Sequence, residues 1–454
     1  MMHLNFTHLR TNHYWLTNAH VPYPLLVGYN LHQEHELAHV DLEIQQGTIT
    51  QIRPHGTPIA DDVPAVNLNR GQVWSGFVDM HTHLDKGHIW QRSPNRSGTF
   101  QEALQLIHSD SEKNWDAEDV YRRMEFGLKC SYAHGTTAIR THIDSAGNQG
   151  NISFRVFKTL QAEWSDRLTL QAVCLVPIDY FQTPEGEKLA DLVAETGGIL
   201  GAVLFMNDNL DAQIDRVFQL AAERQLKLDF HTDESGNPND ITLRRVAHAV
   251  LRHNFGSQVV CGHCCSLAVQ SSDDMFKTLE AVKQANIGIV SLPMCNLYLQ
   301  DRNQDASQHF APLSPPVKRF PTQTPRWRGI TLIHELKHAG VPVAVASDNC
   351  RDPFYGYGDH DVLEVFTQAT RIAHFDAPLS DWCRTVTTIP ADLMGLPTVG
   401  RIGVGLPADL VLFKARYFSE LLARPQSDRV VLRSGQPIDT TLPDYSELDD
   451  LLIR

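Results

Sequence analysis

The chain lacks any apolar run of the roughly 20 residues needed to cross a bilayer. Its start, Met1-Met2-His3-Leu4-Asn5-Phe6-Thr7, has neither the basic nor the apolar region of a signal peptide. A membrane-spanning or secreted protein is therefore not expected, and the cytoplasm is the expected location. Basic residues are in deficit: 39 Lys and Arg face 53 Asp and Glu, a formal net charge of -14. Nucleic-acid binding relies on Lys and Arg against phosphate, so any nucleobase-like ligand is expected to be a free small molecule. Eight cysteines in 454 residues are too few for a disulfide scaffold. Cys261-Gly262-His263-Cys264-Cys265 lacks the second Cys or His pair of a structural zinc site and reads as buried thiols in a β-strand. There is no repeat of solenoid period and no low-complexity tail. What remains, 42% hydrophobic and 20% charged residues, is ordinary globular composition. The length exceeds one core, which predicts one large domain and a smaller one, and is compatible with a homo-oligomer.

After Gly76, short apolar runs alternate with longer amphipathic stretches, the pattern of βα units on a parallel sheet. Eight strands are predicted, over 73–83, 137–144, 168–177, 200–206, 226–232, 258–264, 288–293 and 341–348. Helices are predicted over 117–133, 152–165, 211–224, 240–253, 272–285 and 330–339. Eight repeats in about 320 residues match an α/β fold of the (β/α)8 TIM-barrel kind over 76–395. The flanks, 1–75 and 396–454, carry strand–turn–strand patterns such as Asp41–Ile52 and Arg429–Gly435. Each is too small for its own core, so the two are expected to combine into one β-sandwich. Residues 301–328, rich in Pro, Gln, Asp and Arg, read as a lid or as a plain insertion.

The chemistry collects at strand ends. His81 and His83, at i and i+2, project from one strand face with Cα atoms about 6.7 Å apart. Two imidazoles so placed can converge on one ion at roughly 2.0–2.1 Å per bond. Alone an HxH is a weak signal. Its weight comes from company: His142 and Asp144 end strand two, His231 and Glu234 strand five, His263 strand six and Asp348 strand eight. Barrel enzymes keep their catalytic groups at that face. His81, His83, His231 and Asp348 suit a single zinc or ferrous ion with one position open to water. Such an ion lowers the pKa of its water from about 15.7 toward neutrality, giving hydroxide as nucleophile. His263 is placed to orient or deprotonate that water. Glu234 is placed to protonate a ring nitrogen, and Asp348 to pass a proton to a departing amine. Between 168 and 210 the only lysine is Lys188, in a polar stretch, so a lysine-bridged metal pair is not expected. Lys86, just past the HxH, reads as a solvated loop residue.

With these residues in view the chain resembles the amidohydrolase superfamily, and within it the cytosine deaminase group. The resemblance rests on GFVDMHTHLDK (76–86), RTHID (140–144), DFHTDES (229–235) and CGHCCS (261–266). It continues through SLPMCNLYLQDR (291–302), RGITLIHELKHAGVPVAVASDN (328–349) and RDPFYGYGDHDVLEV (351–365). It implies hydrolytic deamination of cytosine or a close free amino-heterocycle at one Fe2+ or Zn2+ ion. It also implies His81, His83, His231 and Asp348 as ligands, Glu234 as proton shuttle and His263 as partner of the attacking water. Two departures bear on the substrate. Ile178 stands where such deaminases place a glutamine that reads the pyrimidine, and Asn349 where a second aspartate is common. Losing an amide removes hydrogen bonds that discriminate between rings. Asp179 or Gln300 are candidate substitutes, while His142 and Phe354 are further substrate contacts. The alternative rings are 5-methylcytosine, isoguanine, creatinine and an aminotriazine.

Two other classes compete. His334-Glu335-Leu336-Lys337-His338 matches the zinc-protease HExxH, but Gly340 stops its helix and no third ligand follows at the usual spacing. A non-catalytic barrel used for binding would usually have lost ligands that are all kept here.

Overall fold

Parallel strands buried on both faces are built from nearly continuous apolar residues, because helices cover either side of the sheet. The computed structural model, which describes residues 12–29, 36–59, 62–301, 324–376 and 378–452, has eight short parallel strands that are almost wholly buried, polar positions included. They are β1 (Phe77–Thr82), β2 (Thr136–Asp144), β3 (Thr169–Leu175), β4 (Leu200–Val203), β5 (Leu228–Thr232), β6 (Val259–His263), β7 (Gly288–Ser291) and β8 (Val343–Val345). β1, β2 and β3 form one parallel sheet and β4 to β8, in sequence order, a second. Parallel bridges link the two sheets at both junctions: Val173 with Ile199 and Pro177 with Val203 on one side, Thr82 with Asp348 on the other. Val78, Met80, Ala138, Val260, Val290 and Ala344 pack together with Leu393 and Met394 of the helix Thr388–Met394.

Helices separate the strands, and their starts are written in side chains. Thr99 accepts from the Glu102 N–H ahead of Phe100–Asn114, and Asp116 from the Asp119 N–H ahead of Ala117–His134. The predicted strand 73–83 is two strands. Val73–Ser75 pairs antiparallel with Leu410–Leu412, and Phe77–Thr82 joins β2, because the Gly76 N–H is drawn to the Asp409 carbonyl (2.9 Å). His81 therefore lies in β1 and His83 one residue past its end.

The flanking segments share a core. Tyr14, Leu16, Val40, Leu42 and Ile49 from the N-terminal side pack with Ile402, Leu410, Leu412 and Leu432 from the C-terminal side. One sheet runs Thr48–Pro54, Leu37–Gln45, His13–Pro22, Ala65–Asn67. The other runs Gln436–Pro437, Val430–Arg433, Leu410–Leu412, Val73–Ser75. No helix among the described residues is long and apolar enough to cross a membrane.

A buried ion pair ties the C-terminal segment to the α/β unit. Arg429 donates to both Asp361 oxygens (2.8 and 2.6 Å), while Asp361 also caps the helix Val362–Ala373. Burial favours the neutral acid, but the guanidinium outweighs it and holds Asp361 below the ordinary carboxylate range. With the folded pKa depressed, the stabilisation is complete above about pH 3.9 and is lost as pH falls through the lower folded value. Asp361→Asn is expected to cost about 1.5–3 kcal/mol at neutral pH and to flatten the acid limb of the urea midpoint against pH. An unchanged acid limb would show that this carboxylate carries none of it.

Candidate metal centre and active site

Strand register sets the ligands level. In the β5–β6 pairing His231 stands opposite Gly262 and Thr232 opposite His263. At the other junction the Asp348 N–H donates to the His81 carbonyl (2.8 Å) and the Thr82 hydroxyl to the Asp348 carbonyl (2.9 Å). This fastens Asp348 beside the HxH. A Cβ at position 262 would sit 2.9 Å from His81 Cε1, so only glycine leaves the imidazole its place.

His81, His83, His231 and Asp348 come together. Asp348 Oδ1 lies 3.2 Å from His83 Nε2 and 3.7 Å from His81 Nε2, and His83 Nε2 lies 3.4 Å from His231 Nε2. Donors bonded at about 2.0–2.1 Å to one ion at tetrahedral angles stand about 3.3–3.4 Å apart, so the spacing fits a shared cation. His81 Nε2 and Asp348 Oδ1, which face each other across the cluster, are buried without a hydrogen-bond partner. Unpaired polar atoms at such depth are costly, and a cation resolves them together. Burial, and then the crowding of neighbouring imidazoles and Lys86, hold His81, His83 and His231 well below the ordinary histidine range, leaving neutral rings with free lone pairs. Burial raises the Asp348 carboxyl to about 7. His263 also falls in a ligand-spaced group with His81 and His231, and His142 in one with His81 and His83.

Glu234 sits beside this cluster. Its Oε1 is 3.3 Å from His263 Nδ1 and accepts from Asn296 Nδ2 (3.4 Å), which also contacts His263 Nδ1 (3.1 Å). Burial and then the neighbouring Asp348 charge push the Glu234 carboxyl well above the ordinary range, favouring its acid form. His83, His231, Glu234, His263 and Asp348 open on a cleft of about 860 Å³. Its other walls include Phe100, Leu104, Ile107, Trp115 and Phe205.

The remaining substrate residues separate. Asn349 and Phe354 line the cleft, although the Asn349 amide is engaged by Asp352 (2.7 Å). Ile178 does not line it. β3 stops at Leu175 and the 3-10 turn Ile178–Gln182 turns Ile178 into the apolar core, 3% exposed, so Val176 and Pro177 face the cleft instead. Asp179 and Gln300 are likewise absent from the lining side chains. His142 lies outside the cleft wall, its ring 3.9 Å from that of His81. Most of the expected lid, 302–323, lies outside the described residues. The HExxH is structural here: His334 Nε2 bonds the Ala373 carbonyl (2.6 Å) and its ring meets Trp382 edge-on.

Lys86 is not the solvated loop residue that its place after the HxH suggests. It is 4% exposed, lines the cleft, and donates to Asp144 (2.7 Å). Burial disfavours its charge, but Asp144 and Asp85 outweigh that and raise its pKa, so it is a cation held over the Phe354 ring (5.4 Å). Asn296 was missed too. A polar residue in the apolar run Pro293–Leu299 was the one available signal.

This α/β scaffold with an imidazole–carboxylate cluster at its strand ends places the chain in the amidohydrolase family, whose model matches residues 189–439; it is a hydrolase of carbon–nitrogen bonds. The chain is 50% identical over 440 residues, 96% of each protein, to the pterin deaminase of Rhizobium rhizogenes strain K84. It is 22% identical over 358 residues, 76% of this chain and 80% of the relative, to N-isopropylammelide isopropyl amidohydrolase of Pseudomonas sp. strain ADP. The crystal structure of Klebsiella pneumoniae 5-methylcytosine deaminase liganded with 5-fluorocytosine superposes with a TM-score of 0.78, covering 95% of this chain and 98% of that one. At 23% identity that last likeness speaks for the fold.

Proposed function

We propose that this protein is a metal-dependent hydrolytic deaminase whose substrate is a pterin, rather than the cytosine that the motifs alone favoured. The observation that carries the deaminase reading is the convergence of His81, His83, His231 and Asp348 at ligand spacing, with Glu234 alongside and all opening on one cleft. The pterin is supported by 50% identity across nearly the whole chain to a pterin deaminase. The cleft volume of about 860 Å³ also suits two fused rings, within the usual range of roughly 300–1,000 Å³. None of the rings suggested by the sequence is a pteridine.

Water adds to the ring carbon that bears the amine, the bond from that carbon to the exocyclic nitrogen breaks, and ammonia leaves. One divalent ion, Fe2+ or Zn2+, would be held by His81, His83, His231 and Asp348, and supplies Lewis-acid activation of water. Glu234 donates its proton to a ring nitrogen as the adjacent carbon becomes tetrahedral. His263, its Nδ1 fixed by Asn296, holds the attacking water through Nε2, which is buried and otherwise unpartnered. Asp348 relays the proton that converts the amine into a leaving group. Asn349 and Phe354 would border the ring. In architecture we infer that the bridges at both junctions close the eight strands into a (β/α)8 barrel over 76–395, with 1–75 and 396–454 as a composite β-sandwich. Eight buried cysteines, none of them in a disulfide, suit the reducing cytoplasm as its location.

Ammonia release from pterin, cytosine, 5-methylcytosine and isoguanine tests the substrate. Pterin is expected to lead cytosine in kcat/KM by about 100-fold or more, since one methylene alone gives up to about 200-fold. No ammonia from pterin would sink the reading.

A further inference from the structure

The loops after β1 and β8 assemble a second cluster that the proposed reaction leaves unused. His88 from the first loop and Cys350 and His360 from the second bring ligand atoms within 4.8 Å of one another, all buried. His88 Nε2 lies 3.3 Å from His360 Nε2. That is at the long end for an N–H hydrogen bond. It matches the roughly 3.3–3.4 Å between donors sharing one tetrahedral ion, and the 3.4 Å between His83 and His231 in the first cluster. The other ring nitrogens, His88 Nδ1 and His360 Nδ1, are buried with no hydrogen-bond partner.

The backbone supports the same reading. His88 and His360 sit at positive φ (64° and 55°), as do His263 (67°) and Asp348 (64°) of the first site. Positive φ is uncommon outside glycine and most accessible to His, Asn and Asp. The neighbouring helix Ala117–His134 makes room with Gly127. A Cβ there would come within 3.0 Å of His360 Nε2 and 2.8 Å of Leu84 Cδ2. Two cations face His88: Arg351 of the second loop, and Arg123 of that helix, which pairs with Asp119 (2.6 Å).

We propose that His88, Cys350 and His360 form a second metal site, taking a borderline-soft divalent cation of the zinc class through two imidazoles and a thiolate. Nitrogen and sulfur donors select such ions over magnesium or calcium. Cys350 gives up its thiol proton to solvent on binding. The ion fastens together loops already joined by the His88 N–H on the Cys350 carbonyl (3.1 Å) and the Trp90 N–H on the Arg351 carbonyl (2.8 Å). Because one loop follows the HxH and the other follows Asp348, the site braces the first cluster from outside. It rests on residues separate from the deaminase reading.

Cobalt(II) titration of chelator-treated full-length protein tests it. Two equivalents are expected to bind, with a thiolate-to-cobalt charge-transfer band in the near ultraviolet that an all-nitrogen-and-oxygen cluster does not give. Cys350→Ser is expected to lose the band and to retain one equivalent. Absence of the band in the wild-type protein overturns the proposal whether or not the variant folds. A band undiminished in Cys350→Ser also overturns it, assigning the thiolate to Cys295 near Asp348. A single equivalent that carries the band and is lost in Cys350→Ser keeps this site and removes the first cluster as a metal centre.

Discussion

Glu234→Gln is expected to lower kcat for pterin deamination by about 10²- to 10⁴-fold while leaving the bound-metal stoichiometry at the wild-type value. The carboxyl lies beside the ligand cluster, 3.3 Å from His263 Nδ1, and is buried against the Asp348 charge. Those surroundings favour its acid form, from which it gives a proton to the ring nitrogen while Asp348 serves the departing amine. Glutamine keeps the volume and an oxygen able to accept from Asn296 Nδ2, but it has no proton to transfer. Asp348→Ala separates the roles: it removes a ligand, so metal and turnover are expected to disappear together. Metal analysis of each purified variant alongside steady-state rates decides the matter. A Glu234→Gln enzyme at near wild-type kcat, or one stripped of metal, would contradict a proton-shuttle role.

The face on which these residues meet was legible in the chain because parallel strands advertise themselves. The run Val259-Val260-Cys261-Gly262-His263 is apolar up to a polar terminus, and Leu228-Asp229-Phe230-His231-Thr232 is broken only by Asp229; in both the polar terminus faces the site. Placing His81, His231, His263 and Asp348 required only that the strand ends be found. What sequence could not show was pairing between distant segments. Lys86 reads as a solvated lysine until Asp144, 58 residues away, is seen to neutralise it in the cleft wall. Ile178 failed for a local reason. The apolar run Leu168–Pro177 gives no sign that the strand stops at Leu175, and a displacement of a few residues exchanges a cleft residue for a core one. Helix Phe100–Asn114, which supplies much of the cleft wall, went unseen because Gln, Ser and Asp interrupt its thin apolar stripe of Ala103 and Ile107. Ring choice depends on that wall, so the chemistry was readable and the substrate was not.

Asp229→Ala is expected to destabilise the protein by about 3–5 kcal/mol, the cost of breaking a buried ion pair and leaving one charge uncompensated. Asp229 lies in β5 on the side away from His231's neighbours in sequence, where Arg140 of β2 donates to its Oδ2 (2.8 Å). Arg140 is also fixed by Gln171 Oε1 (2.9 and 3.1 Å) and is fully enclosed. His142 Nε2 lies 3.3 Å from Asp229 Oδ1, too poorly aligned for a hydrogen bond but close enough to feel its charge, and the His142 ring packs on His81. The pair thus supports the metal cluster from beneath, through one intervening imidazole. Replacing both charges with apolar residues of similar volume is often neutral or stabilising, so Asp229→Ala combined with Arg140→Met is expected to recover most of the lost stability. Urea midpoints of the single and double variants measure the difference. Cobalt affinity of the double variant shows whether His142 also needs the carboxylate to hold His81 in position. Equal midpoints for Asp229→Ala and the double variant would mean that the stranded guanidinium is not the source of the loss, and that packing around Arg140 is.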